Sequence, residues 1–221
     1  MQTFKNLKDY NYILFDCDGV VLNSNKIKSD SFFNIAMRYD EESALELVKY
    51  NKMNGGISRF KKFEYYIYKI LPKYQNYDLD SKKLARDFGK EVKKGLLNCE
   101  ISPHIFDLKK KYQNTKWAII SGGKQSELRD VFYQRSLIKL FEMGVWGSPE
   151  NKYQIIKNNF NHIIGTNVLY LGDSKLDYDV ACYYKFDFIF VSDWTELACW
   201  KEFIKMNSIC TIKNIGKLID E

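Results

Sequence analysis

One stretch near the start of the chain decides the fold, and it reads Tyr12-Ile13-Leu14-Phe15-Asp16-Cys17-Asp18-Gly19-Val20-Val21-Leu22. Its first four residues form a run that is too short for a helix and apolar on both faces, which is typical of a central parallel strand buried between helices. The run is followed by Asp16 and Asp18. On an extended chain these two side chains point in the same direction, and the side chain of Cys17 points the opposite way. Ligands of open α/β sheets bind at the carboxyl ends of the strands, so we expect this pair of acids to lie in a functional crevice.

Further short apolar runs with strand character follow at residues 117–120, 143–146, 168–171 and 186–191, with a possible edge strand at 208–212. Helical patterns separate these runs, and strands that alternate with helices form parallel sheets. The sequence therefore predicts an α/β fold with a doubly wound parallel sheet. Ser102-Pro103 and Ser148-Pro149 are each predicted to start a helix, with serine as the N-cap and proline at the first helical position.

Residues 25–100 interrupt this alternation, because they show helical periodicity and contain no convincing strand. Within them, Gly55-Gly56 breaks the pattern, and a helix from Ile57 to Leu71 is predicted to end at Pro72. We therefore predict two parts, a core formed by residues 1–24 and 101–221 and a helical insert formed by residues 25–100. The insert leaves and returns near the same sheet edge, so it can lie over the crevice as a lid.

The composition restricts the class of protein. The chain has 221 residues, of which 45% are hydrophobic and 28% charged, which is typical of a soluble globular protein. No segment approaches the roughly 20 apolar residues that a membrane span needs, and the N-terminus lacks the apolar segment of a secretion signal. We expect a cytoplasmic protein without membrane partners. The five cysteines are scattered and form no Cys-x-x-Cys pair, which predicts reduced thiols and no zinc site.

The net charge of +6 raises the question of nucleic-acid binding. Only five of the 34 basic residues are Arg, and the lysines are dispersed among acidic residues. A nucleic-acid interface concentrates basic side chains in one patch. The composition therefore argues against nucleic-acid binding.

Distinctive polar side chains stand at four strand ends or helix starts, namely Asp16 with Asp18, Ser121, Lys152, and Asp173 with Asp177. In this order, Asp-x-Asp-Gly-Val-Val at 16–21, a serine after an apolar strand, Gly-Ser-Pro-Glu-Asn-Lys at 147–152 and Gly-Asp-Ser-x-x-Asp at 172–177 resemble the four motifs of the haloacid dehalogenase superfamily. Most members of that superfamily are phosphohydrolases with a Rossmann-like core. The resemblance covers the whole predicted core, and the helical insert after the first motif resembles the C1-type cap of subfamily I.

The acids fit this chemistry on physical grounds as well. Asp16 and Asp173 offer the hard oxygen ligands that Mg²⁺ prefers, and a metal there would neutralise charge on the nucleophile and the phosphoryl group. The resemblance implies that Asp16 attacks phosphorus to give an aspartyl phosphate. It also implies that Asp18 protonates the leaving alkoxide and then accepts a proton from water, while its backbone carbonyl binds the metal.

The remaining motif residues are predicted to bind phosphate. The resemblance implies that Ser121 and the backbone N–H of Gly122 hold phosphoryl oxygens, and that Lys152 adds a fixed positive charge. Lys175 is the rival for this cationic role. Asp177 is expected to orient either a metal-bound water or Lys152.

The insert is predicted to contribute to specificity. In C1-capped relatives this region carries a substrate-specificity loop, so the resemblance implies that Arg59, alone or with Lys62, reaches an anionic group of the substrate. Asn23 and Ser24 follow the first motif and are further candidates for substrate contact.

The sequence thus predicts a Mg²⁺-dependent phosphatase for a small phosphorylated metabolite, either a sugar phosphate or a polyol or amino-alcohol phosphate. Two alternatives stay open, a phosphomutase of the β-phosphoglucomutase type and a non-catalytic regulatory protein with the same fold. A 2-haloacid dehalogenase is disfavoured because such relatives generally lack the acid at Asp18. The sequence leaves the choice between monomer and homodimer open.

Overall fold

The computed structural model describes residues 5–219, and in that range it contains six β-strands and nine α-helices. The strands are β1 (Tyr12–Phe15), β2 (Lys116–Lys124), β3 (Val145–Ser148), β4 (Val168–Gly172), β5 (Asp187–Val191) and β6 (Cys210–Ile212). The helices are α1 (Asn25–Ala36), α2 (Glu41–Met53), α3 (Arg59–Tyr65), α4 (Ser81–Asn98), α5 (Ile105–Lys111), α6 (Gln125–Gln134), α7 (Lys152–Asn159), α8 (Lys175–Tyr184) and α9 (Trp200–Met206). None of the described helices is long and apolar enough to cross a bilayer.

The six strands form one sheet in the order β3-β2-β1-β4-β5-β6, and all neighbours pair in parallel. Alternate residues of β1 enter different apolar clusters, with Ile13 and Phe15 in one and Leu14 in the other. Both faces of the sheet are therefore buried, which explains why this strand is apolar throughout. The predicted doubly wound parallel sheet is confirmed.

Helices α1 to α4 lie in the predicted insert and pack against one another. The rings of Phe32, Phe63 and Phe88 form its centre, with centroids 4.4–5.9 Å apart. The chain enters and leaves the insert through two hydrogen-bonded segments, residues 21–23 and 100–102. The backbone N–H of Asn23 donates to the carbonyl of Glu100 over 2.9 Å, and the N–H of Ser102 donates to Val21 over the same distance. The two ends of the insert are therefore neighbours.

Both helix starts predicted from Ser-Pro pairs are wrong. Helix α5 begins at Ile105 and not after Ser102. The backbone N–H of Ser102 is bound to the carbonyl of Val21, which holds Ser102 in the segment that leaves the insert. Ser148 is the last residue of β3, and α7 begins only at Lys152. Asn151 makes a reciprocal capping box with Gln154, which satisfies the first free N–H groups better than a serine three residues earlier.

Several predicted elements have different bounds in the structure. Strand β2 continues to Lys124 and so includes Ser121. Strand β3 lies two residues later than predicted, because a turn at Gly144, with φ +98°, precedes it. The predicted helix from Ile57 to Leu71 is not continuous: α3 gives way to a π-helical turn at Tyr66–Ile70 and a 3₁₀ turn at Leu71–Lys73.

Candidate active site

Strands β1 and β4 bring the acidic residues together. The two strands are parallel neighbours, and the backbone N–H of Asp16 donates to the carbonyl of Leu171 over 2.8 Å. Asp173 follows β4 directly, and Asp177 lies in the first turn of α8. The structure places a carboxylate oxygen from each of Asp16, Asp173 and Asp177 within 4.8 Å of the others, and all three side chains are buried.

The loop after β1 packs tightly against Asp173. Gly19 has φ +78°, a backbone conformation that residues other than glycine rarely adopt. A Cβ atom at Gly19 would also lie 2.1 Å from Asp173 Oδ2, so only glycine fits here. Asn25, the first residue of α1, donates a hydrogen bond of 2.6 Å to the same oxygen. The start of the insert therefore helps to orient Asp173.

Lys152 connects two of the acids. It is the first residue of α7, and only 1% of it is exposed. Its Nζ donates to Asp16 Oδ1 over 2.7 Å and to Asp177 Oδ1 over 2.5 Å. The buried phenol of Tyr170 also donates to Asp177 Oδ1, over 3.1 Å, and the backbone N–H and hydroxyl of Ser174 donate to Asp177 Oδ2. Both oxygens of Asp177 are thus committed, which makes it a positioning group for Lys152.

Burial and mutual repulsion control the protonation of this cluster. Burial, which is only partly offset by the charge of Lys152, raises the pKa of Asp16 to about 7. Burial and the neighbouring charge of Asp16 also raise the pKa of Asp173 well above its usual range. For Lys152, burial lowers the pKa, but the charges of Asp16 and Asp177 outweigh this effect and hold it well above its usual range. Lys152 is therefore a permanent cation in a site with an excess of negative charge.

The free oxygens of this cluster suit a hard divalent cation. Asp16 Oδ1 accepts from Lys152 and Asp173 Oδ2 accepts from Asn25, whereas the other oxygen of each carboxylate has no protein donor within residues 5–219. Mg²⁺ binds through one or two carboxylates and keeps several waters. Asp16 and Asp173 would hold such an ion, and its charge would offset the repulsion between them.

Asp18 faces a different set of partners. Its carboxylate accepts a hydrogen bond of 2.6 Å from Ser24 Oγ and one of 2.5 Å from Lys28 Nζ. Burial raises the pKa of Asp18, but Lys28 and these hydrogen bonds together outweigh it and hold the pKa below its usual range. In this arrangement Asp18 is an ionised group suited to accept a proton.

The insert lies directly over the end of β2. Ser121 is fully buried, and Gly122 follows it at the surface of the cleft. A Cβ atom at Gly122 would lie 2.1 Å from the carbonyl oxygen of Gly56, which belongs to the loop between α2 and α3. This close approach brings the loop to the place where the sequence predicts phosphate binding.

Insert and core together enclose a cleft of about 870 Å³, including its open mouth. Asp16, Asp18 and Asp173 line its core side, and Arg59 and Lys62 line its insert side. The guanidinium of Arg59 donates to both carboxylate oxygens of Glu127 in α6, over 2.7 and 2.6 Å. A substrate anion would have to compete with Glu127 for Arg59, so this geometry does not favour the predicted role of Arg59.

Three residues of the site were missed by the sequence analysis. Asn25 orients Asp173, Lys28 pairs with Asp18, and Tyr170 supports Asp177. Asn25 and Lys28 stand three residues apart, so they share one face of α1. This spacing of two polar residues directly after the first motif is the sequence feature that could have indicated both of them. No sequence pattern distinguishes Tyr170 from an ordinary core aromatic.

Comparison with known proteins adds a family assignment. A profile of the family described as haloacid dehalogenase-like hydrolase matches residues 13–191. This range contains all eight residues proposed for the site: Asp16, Asp18, Arg59, Ser121, Gly122, Lys152, Asp173 and Asp177. No protein of curated function matches the chain at a significant level.

Several solved structures share the fold over nearly the whole chain. A predicted phosphoglycolate phosphatase from Haemophilus somnus is 14% identical with a TM-score of 0.68, and the match covers 97% of this chain and 98% of that one. A β-phosphoglucomutase from Clostridium difficile is 15% identical with a TM-score of 0.67, covering 95% and 93%. A HAD-hydrolase from Bacillus subtilis, solved bound to magnesium, is 15% identical with a TM-score of 0.61, covering 90% and 99%. At these identities the likeness establishes the fold alone.

Proposed function

The chain belongs to the haloacid dehalogenase-like hydrolase family, and we propose that it hydrolyses a small phosphomonoester with the help of Mg²⁺ through an aspartyl-phosphate intermediate. The observation that carries this proposal is the contact between Asp16 and the buried Lys152, beside a second carboxylate, Asp173, that has a free oxygen. A carboxylate attacks a phosphate dianion only where cations offset the repulsion between them. Lys152 supplies one such cation from the chain itself.

In the proposed reaction Asp16 is the nucleophile. Its Oδ1 is held by Lys152, so its Oδ2 is the oxygen without a protein donor. Lys152 is fixed in turn by Asp177, which keeps the ammonium beside the reacting carboxylate. Mg²⁺ bound by Asp16 and Asp173 would withdraw charge from the phosphoryl oxygens. Ser121 and the N–H of Gly122 complete the proposed phosphate site.

Asp18 is the proposed proton-transfer group. Its ionised form suits the second half of the reaction, in which it accepts a proton from the water that attacks the aspartyl phosphate. To protonate the leaving alkoxide in the first half, Asp18 must carry a proton, which the neighbouring Lys28 ammonium disfavours. Substrate binding must therefore draw Lys28 away from Asp18 in this mechanism.

The first test of the proposal is the release of inorganic phosphate from a panel of small phosphomonoesters. We expect release with Mg²⁺, a fall to background with a chelator, and recovery when Mg²⁺ is restored, because Asp16 and Asp173 cannot stay ionised together at low cost without a second cation beside Lys152. Calcium is the control, since it favours more ligands and longer bonds than Mg²⁺. Chelator-resistant release would contradict the metal requirement. Activation by a bisphosphate without net phosphate release would indicate a mutase.

The support that Tyr170 gives to Asp177 leads to a smaller prediction. Tyr170→Phe removes one hydrogen bond to a charged group, and such a bond contributes about 1.5–3 kcal/mol to stability. We expect kcat to fall about threefold to tenfold with little change in KM, because Lys152 is positioned less firmly. The control is Tyr184→Phe, which removes a hydrogen bond of 2.8 Å that goes to the carbonyl of Tyr153 and not to Asp177. A larger effect in the control would contradict the positioning role.

A further inference from the structure

The insert side of the cleft contains a buried amine that lacks an acidic partner. Lys62 is only 5% exposed, and its Nζ donates a hydrogen bond of 2.6 Å to Asn51 Oδ1. The same ammonium lies 5.6 Å from the ring centroid of Phe32. No carboxylate of residues 5–219 lies within 4.0 Å of it. Two of its three N–H groups are therefore left for another acceptor.

The other cations of the cleft are all paired with carboxylates in the described part of the chain. The pairs and their shortest distances are Lys28 with Asp18 at 2.5 Å, Lys52 with Glu196 at 3.1 Å, Arg59 with Glu127 at 2.6 Å and Lys124 with Glu127 at 3.6 Å. A buried charge without a partner is costly to the fold. Among the described residues, Lys62 is thus the one cation of the cleft without a carboxylate partner.

The charges on the insert side of the cleft favour the binding of an anion. Burial and then repulsion from Lys28 lower the pKa of Lys62 to about 7, while Asp18 and Asp16 act in the opposite direction. Lys62 and Lys28 line the same cleft, and within residues 5–219 Asp18 is the one carboxylate within 4.0 Å of either amine. An anion placed between the two amines would offset this repulsion. Asp16 lines the same cleft as the two amines, so such an anion would share this cleft with the proposed nucleophile.

We propose that Lys62, with Lys28 beside it, binds a second anionic group of the substrate. The substrate is then a small phosphomonoester that also carries a carboxylate or a second phosphate. This inference rests on the proposed phosphatase function and narrows its substrate class. Of the two insert residues predicted to reach a substrate anion, the inference selects Lys62 over Arg59, whose guanidinium is bound by Glu127.

A purely structural role for Lys62 makes a different prediction. Its partner Asn51 donates to Ser29 Oγ over 2.9 Å, and Ser29 donates to Glu196. If Lys62 served only to hold this network, its removal would lower stability and affect all substrates equally. Discrimination between substrates therefore separates the two roles.

The test uses three probes with the same three-carbon chain, each a phosphomonoester at one end. The phosphate of 3-hydroxypropionate carries a carboxylate at its other end. The bisphosphate of 1,3-propanediol carries a second phosphate there, and the monophosphate of 1,3-propanediol carries a neutral hydroxyl. We expect the wild-type protein to hydrolyse at least one anionic probe with a kcat/KM about tenfold or more above that of the neutral probe. The preferred anionic probe identifies which of the two groups is bound.

Lys62→Met keeps the apolar stem against Phe32 and removes the charge. We expect it to reduce the preference for the anionic probe about tenfold to 100-fold, chiefly through KM, since this is the range for losing a hydrogen bond to a charged group. Lys62→Arg should restore part of the preference. Lys52→Met is the matched control, because Lys52 also lies on the insert side of the cleft but is half-exposed and already paired with Glu196.

Two results would overturn the inference. One is equal hydrolysis of neutral and anionic probes by the wild-type protein, which needs no variant and so does not depend on the folding of one. The other is an unchanged preference in folded Lys62→Met. A lack of phosphate release from every probe and from p-nitrophenyl phosphate would be a distinct result, because it would refute the phosphatase proposal and this inference with it.

Discussion

Asp16→Asn is expected to reduce phosphate release by a factor of about 10³ or more, as is typical when a catalytic nucleophile is removed. The amide has nearly the same shape as the carboxylate, so the contacts of the site can persist, but it cannot form an acyl phosphate. It also removes one of the two carboxylates that would hold Mg²⁺. The measurement is kcat/KM for the best substrate of the panel at saturating Mg²⁺.

Asp16→Asn is also expected to change how the stability of the metal-free protein depends on pH. Burial raises the pKa of Asp16 to about 7 in the folded metal-free protein, against about 3.9 in an unfolded chain. A raised carboxyl pKa contributes stability below pH 4, and this contribution is lost as the pH rises through 7. Without metal, wild-type stability should therefore fall between pH 4 and pH 7, and Asp16→Asn should weaken that dependence.

The control for both measurements is Asp179→Asn, which removes an exposed acid of α8. It should leave phosphate release and the pH dependence of stability at wild-type values. Retention of more than a few per cent of activity in folded Asp16→Asn would reject Asp16 as the nucleophile. A metal-free stability profile that is the same in Asp16→Asn and in the wild type would reject the electrostatic account of the site.

Lys152→Met is expected to have the second largest effect, on both stability and activity. The substitution leaves Asp16 and Asp177 buried without the cation that they share. Removing one partner of a buried ion pair costs about 3–5 kcal/mol in the free energy of unfolding. Loss of a fixed charge at the reacting group typically costs about 10²–10³ in kcat. Urea unfolding and steady-state kinetics would measure the two effects.

The pH dependence of this variant provides an independent check. Without the ammonium, the folded-state pKa of Asp16 should rise further, so the destabilisation should grow as the pH increases above 4. Lys175→Met is the matched control, since Lys175 is an exposed lysine near the ring of Phe203, at 5.8 Å. If Lys175→Met lost more activity than Lys152→Met, the assignment of the cationic role would be wrong.

The parallel sheet could be predicted because each central strand is apolar on both faces. Tyr12–Phe15 and Val168–Gly172 are short runs that are each followed directly by an aspartate, and both are largely buried in the sheet. The helix starts could not be predicted in the same way. Ser148-Pro149 has the composition of a helix start, yet the capping box at Asn151 lies three residues later and sets the boundary. Local patterns compete, and packing decides between them.

The candidate site shows a similar division. That the motif residues Asp16, Lys152, Asp173 and Asp177 lie together could be predicted, because they follow the carboxyl ends of neighbouring strands or begin the next helices. The pairings of Arg59 with Glu127 and of Lys28 with Asp18 depend on how separate segments pack. In the first pair the two residues are 68 positions apart, so no local pattern contains the information. The sequence therefore indicated which residues could react, and the fold determined which of them are free to bind a ligand.

The adjacent entry and exit of the insert have an evolutionary consequence. A segment whose ends are neighbours can be lengthened, shortened or exchanged between genes without rerouting the strands on either side. Lys28 and Lys62 lie inside this segment, whereas Asp16 and Lys152 lie outside it. With the roles proposed above, selection can change the preferred substrate while the reacting groups stay constant. We therefore expect that residues 25–100 can be transplanted between related proteins as one segment.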